Sequence, residues 1–196
     1  MELTFRLIFL VVLALMFIIS GTYRRRARQS GDVIARREEG LPILLLRMGL
    51  AFPLLASLTL YIVYPRALGW SQVILPLWLR WLASGVALLT VPFVLWVFRS
   101  IGRNISETVL TKSDHELVTS GPYRWVRHPL YASALLMLFS LSLVASNWFL
   151  LLYSLAALVV FRVIVIPVEE VQLVQTFEGA YKDYQRRSGA LLPNLF

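Results

Sequence analysis

No cysteine occurs in the 196 residues of this chain, which excludes disulfides, thiolate metal sites and cysteine nucleophiles. Charge is scarce too: only 15% of residues are Asp, Glu, Lys or Arg, against about a quarter in an ordinary soluble domain. Histidine occurs twice. Neither histidine falls in a His-x-x-x-His or carboxylate-rich spacing, so no metal is expected among the partners. Gly102, Gly121 and Gly179 stand isolated, without the pattern of a phosphate-cradling loop. No internal repeat or low-complexity segment is visible.

Apolar residues are present in excess, at 58% of the chain with a mean hydropathy of +0.70. That is more apolar surface than one core can hide, and lipid is the expected solvent for the remainder. The formal charge of +8 does not point to nucleic acid. Its basic residues fall in the gaps between apolar runs, where they fix topology and meet anionic lipid.

Five spans are expected. The first apolar run, Leu3 to Ser20, is long enough to cross a bilayer. Its basic cluster Arg24-Arg25-Arg26 follows the run, so a retained span is expected rather than a cleaved signal. Further runs cover Leu41 to Tyr64 and Pro76 to Phe98, the latter containing Pro92, which is expected to kink it. The stretch Pro129 to Pro167 is about twice one span, and Ser146-Asn147 offers a turn. It reads as a hairpin of two helices, 129–145 and 148–168. From Glu169 the chain becomes polar, with Leu173, Phe177, Tyr181 and Tyr184 at helical spacing. The expected fold is an all-α integral-membrane bundle of about five spans with a C-terminal hairpin and a tail helix. Residues 1–98 are expected to form a three-span region, and residues 99–196 a second region of two spans and a cytoplasmic tail. The loop 21–40 carries six Lys/Arg and the segment 99–127 five, while 65–75 carries only Arg66. This bias places the N-terminus outside, and the C-terminus and the chemistry on the cytoplasmic face.

That chemistry is concentrated between residues 115 and 131, which hold both histidines, two arginines, two tyrosines and two prolines. His128 precedes Pro129, which suits the first position of a helix and holds His128 extended. Arg127 and His128 therefore stand beside the open amides of a helix start, a place that attracts an anion or simply anchors at headgroups. Farther on, adjacent helical residues point about 100° apart, so Glu169 and Glu170 are not expected to share a face. Arg162, seven residues before Glu169, is expected on the same side. There it either meets a polar cavity or pairs structurally.

Gly121-Pro122-Tyr123, then Arg127-His128-Pro129-x-Tyr131, a two-span hairpin, Glu169-Glu170, and Phe177 with Tyr181 and Tyr184 together resemble the isoprenylcysteine carboxyl methyltransferase family. The upstream Gly102-x-Asn104-x-Ser106 and His115-x-Leu117-Val118 are similar as well, and the likeness covers roughly residues 99–193. The resemblance implies S-adenosylmethionine as the bound methyl donor. It implies that His115, Glu116, Leu117 and Val118 line the donor, with Tyr123, Arg127, His128, Pro129, Leu130 and Tyr131 as its other contacts. Glu169 and Arg162 are the candidate catalytic residues, and Glu169 and Glu170 the candidate substrate-binding residues. The family's arginine four residues before that glutamate falls here on Val165. A lipophilic or small acceptor is implied: prenylcysteine carboxylate, phospholipid amine and a small thiol all remain open. Two other readings compete, an NADPH-dependent membrane reductase of the sterol-reductase type and a non-catalytic scaffold that binds anionic lipid.

Overall fold

The computed structural model describes residues 1–29, 41–102 and 117–194, with only the backbone at 28, 29, 41–44, 46 and 47. Every regular element among them is helical: α1 (Glu2–Gln29), α2 (Leu41–Val63), α3 (Leu77–Ile101), α4 (Pro129–Val144), α5 (Trp148–Val160) and α6 (Ile166–Arg187). Two isolated bridges, Gln72 with Asn147 and Val126 with Gly189, are the β pairing found there. Three helices are long and apolar enough to cross a membrane, and a fourth crossing is reached if α2 and the bent turn after it count as one. The helix α4 is apolar but shorter, at 16 residues.

The two ends of the bundle can be traced from side chains that reach across it. Arg80, at the start of α3, donates through Nε to the carbonyl of Val144 at 3.1 Å, at the end of α4. Its Nη1 and Nη2 reach Glu2, at the start of α1, and its guanidinium lies 4.0 Å over the ring of Phe5. Arg6 donates to the carbonyl of Ile62 at the end of α2. Asn147 accepts from the amide of Leu150 as the N-cap of α5 and donates to Ser71 Oγ at 2.7 Å. These groups mark one end. A buried arginine is tolerated there because each of its polar faces has a partner.

Phe5, Phe9 and Val12 of α1 are fully buried with Ala87 of α3 and Leu141 and Val144 of α4. The first helix is thus a structural member of the core, and the core is shared across both halves of the chain. At the other end, Ala27, Val94 and Phe98 form a second cluster that Leu130 packs against. The helix α3 continues through Pro92, and α2 through Pro53. A marked bend, 114°, comes where α2 meets the 3₁₀ turn Pro65–Ser71.

The last apolar helix differs most from expectation. Instead of ending near 168, helix runs on from Trp148 through a π-helical turn at Phe161–Val165 and past both glutamates into α6. Hydropathy marks where lipid contact ends, whereas the hydrogen-bond ladder ignores that boundary. A real break falls within α6 at Glu178, whose φ of 46° is non-helical. From there the chain turns back toward residues 123–128.

Candidate active site

The site forms where the start of α4 meets α6. Gly121, with φ +59°, opens the 3₁₀ turn Gly121–Arg124 beneath the end of α3. A Cβ at Gly121 would lie 2.5 Å from Ser100 Oγ, so this turn needs glycine for both its space and its left-handed backbone. Gly121→Ala is expected to lower stability by about 1–2 kcal/mol from the backbone alone. Adding Ser100→Gly should relieve only the clash, which paired thermal melts can resolve.

His128 is buried, and its ring stands between the two glutamates. Nε2 lies 3.2 Å from Glu170 Oε1, and Nδ1 lies 3.5 Å from Glu169 Oε2. The expectation that Glu169 and Glu170 serve different faces is therefore corrected. A ring with nitrogens on two sides bridges carboxylates that diverge by one helical step. Burial disfavours the charged imidazole, but the two carboxylates outweigh it and hold its pKa up at about 9. The ring stacks on Tyr131 at 5.6 Å with an interplanar angle of 7°, and Phe161 meets the edge of Tyr131 at 4.9 Å.

Glu170 is well supplied with donors. Its Oε1 accepts from Arg127 Nε at 2.7 Å, and its Oε2 accepts from Gln185 Nε2 at 3.0 Å. Arg127 also donates through Nη1 to the carbonyls of Gln185 and Ser188. The backbone repeats the tie: Arg127 N donates to Gly189 O at 2.8 Å and His128 N to Ala190 O at 3.0 Å. Tyr184 Oη donates to the carbonyl of Tyr123 at 2.6 Å. Burial pushes the Tyr123 hydroxyl far above the ordinary phenol range. Glu169 contrasts with its neighbour, because its Oε2 is a buried oxygen without a hydrogen-bond partner among the described residues.

Of the residues expected at a site, the structure brings together Arg127, His128, Tyr131, Glu169 and Glu170, with Tyr123 tied in through Tyr184. Pro129 is buried at the helix start, and Leu130 faces the α1–α3 cluster. Leu117 and Val118 are half-buried in the approach to the 3₁₀ turn. His115 and Glu116 lie outside the described residues. Arg162 is exposed on the π-helical turn, and among the described residues no hydrogen bond or ion pair joins it to either glutamate. The wide turn spoils the two-turn spacing that would have aligned it with Glu169. Arg127 was expected to offer its charge to a bound anion; here Glu170 and two carbonyls already occupy it. Gln185 and Ser188 belong to the cluster without any motif announcing them, and Tyr181, part of the motif but given no role by it, is buried beside them.

Residues 82–175 match the model of the isoprenylcysteine carboxyl methyltransferase (ICMT) family. The segment is of ICMT type, as its motifs implied. It takes in His128 and both glutamates, while Phe177, Tyr181 and Tyr184 fall beyond it. Over 94 residues, or 47% of the chain, the sequence is 34% identical to protein-S-isoprenylcysteine O-methyltransferase of Saccharomyces cerevisiae. The chain spans only 39% of that relative's length. Its fold is similar to a solved structure described as the eukaryotic intramembrane Ras methyltransferase ICMT. The TM-score is 0.54 at 24% identity, covering 76% of this chain and 47% of that one.

Proposed function

We propose that this chain is an integral-membrane methyltransferase that moves a methyl group from S-adenosylmethionine to a lipophilic or small acceptor. The observation that carries the reading is the buried Glu169 Oε2, which takes no hydrogen bond and meets His128 Nδ1 only at 3.5 Å, beside Tyr131 and within the ICMT-type segment. The Glu169 carboxylate oxygen and the aromatic ring of Tyr131 suit a sulfonium cation, so the residues present fit this donor. Tyr123, His128, Pro129, Leu130 and Tyr131 would hold it, with His115 to Val118 completing the wall. When bound, it supplies an activated methyl group. The protein's part is to orient the acceptor, exclude water and handle one proton. Where the acceptor is a thiol or amine, Glu169 takes its proton. Where it is a carboxylate, orientation dominates. Val163 and Ile164, exposed and apolar on the π-helical turn, favour an acceptor that arrives from lipid.

The same reading takes α4 as a fifth, short crossing paired with α5. Antiparallel neighbours then put the start of α4 and the exit of α5 at one end, opposite Arg80. The Lys/Arg bias assigns that end to the cytoplasmic face, with the N-terminus outside. Residues 1–98 serve as scaffold and 99–196 carry the donor site and the chemistry. Calorimetric titration of the folded, detergent-purified protein should show saturable binding of S-adenosylmethionine and of its demethylated product, and none of NADPH. Heat from NADPH alone would transfer the reading to a reductase. Silence from all three would remove both.

A further inference from the structure

The adjacent glutamates are chemically unlike. Glu170 accepts from Arg127, His128 and Gln185 through both of its oxygens, whereas Glu169 keeps a buried oxygen without a hydrogen bond. Three of the roughly four lone-pair sites of this carboxylate are taken by protein donors, which leaves little of it to turn toward a reactant. Its partners, however, all bear on the site. Arg127 and Gln185 hold the returning tail, and His128 is the ring that reaches Glu169.

We propose that Glu170 is a positioning residue rather than a substrate ligand. By fixing Arg127 and one nitrogen of His128, it keeps the other ring nitrogen turned, as a charged donor, toward Glu169. Glu169 thereby keeps a buried oxygen that no hydrogen bond fills, the arrangement in which it can meet an acceptor. This assignment rests on the methyltransferase reading for its purpose, but its geometry can be tested without turnover. The charged or titratable groups around the ring are Glu169 and Glu170 of α6, Arg127 beside it and Tyr131 of α4. Tyr181 and Tyr184 lie farther out, around Glu170 and Arg127.

Against the cost of burial, the two carboxylates leave His128 protonated up to about pH 9. The bridge therefore contributes fully below the unfolded histidine value near 6.5 and is lost as pH rises through about 9. The chain has two histidines, so nitrogen-15 histidine spectra of the detergent-solubilised protein should show two ring spin systems. His115→Asn assigns them. In Glu170→Gln the His128 midpoint should fall by about one pH unit or more, because one opposing charge is gone. In Gln185→Ala it should stay or rise, since Glu170 loses a competing donor. An unmoved midpoint in Glu170→Gln overturns the proposal, as does a fall in Gln185→Ala; the latter stands alone if Glu170→Gln does not fold.

The pH profile of methyl transfer supplies the second readout. With a thiol or amine acceptor, Glu170→Gln should regain turnover below its new His128 midpoint, while Glu169→Gln should regain it at no pH. Glu170→Gln remaining inactive at every pH, with its fold and His128 charge intact, would make Glu170 a direct participant and overturn the proposal. If the wild-type chain binds no methyl donor but the titration shifts as stated, the functional reading fails and the positioning role survives.

Discussion

Arg127→Met is expected to destabilise the chain by about 3–5 kcal/mol, the range for removing one partner of a buried ion pair. The Arg127 and Glu170 side chains are only 11% and 18% exposed, so solvent screens little of this interaction. The substitution also leaves the carbonyls of Gln185 and Ser188 without the donor that reaches them, and a buried orphan acceptor costs about 1–3 kcal/mol. The loss should appear as a lower melting temperature in detergent, together with proteolysis after the break at Glu178. Arg127→Lys is the informative companion. A lysine keeps the charge but lacks the fork that serves Glu170 and the tail together, so it should fall between wild type and Arg127→Met. A melting temperature untouched in both variants would mean that the backbone pairing at Gly189 and Ala190 holds the tail by itself.

Glu169→Gln is expected to lower methyl transfer by about 10²–10⁴-fold with an acceptor that must lose a proton, the usual span for a general base. The amide is nearly isosteric, so His128 and Tyr131 should remain in place and the helix should still form. The deficit belongs in kcat rather than in donor affinity, because the missing function is exercised only during reaction. With a carboxylate acceptor the loss should be far smaller. Comparing lipophilic amine, thiol and carboxylate acceptors in one labelled-donor assay therefore tests the role of Glu169 and ranks the acceptors together. Full turnover by Glu169→Gln with amine and thiol acceptors would end its assignment as base.

Much of this architecture was legible because lipid imposes a simple code. A long apolar run must satisfy its own backbone, and a helix does so. The starts of α3 and α4 accordingly fall where the apolar runs and prolines place them, and Ser146-Asn147 turns as expected, with Asn147 capping α5. The tail helix was legible from its spacing, but its direct continuity with the last span through the π-helical turn was not, since polarity alters the solvent of a helix without ending it. Nor was the reversal at Glu178, a non-glycine residue with positive φ that no propensity flags. The grouping of Arg127, His128, Tyr131 and Glu169 was readable from motif, because each is of a type the chemistry requires. The filling of Arg127 was not, because two of its partners are main-chain carbonyls, which every residue carries. Gln185 and Ser188 escaped for the same reason: their side chains carry no chemical signature, and only the returning tail gives them a place.

The π-helical turn at 161–165 sets the rotational phase of everything after it. One additional residue in a turn rotates the following helix by about 100° relative to the preceding one. The stretch 148–160 can therefore keep an azimuth chosen for its neighbours in the bundle, while 166–187 takes an azimuth chosen for polar company. A uniform helix would couple the two and force a compromise between good packing and correct aim. Here a local change of pitch separates those requirements, so apolar substitutions along the span can drift without turning the acidic pair away from its imidazole.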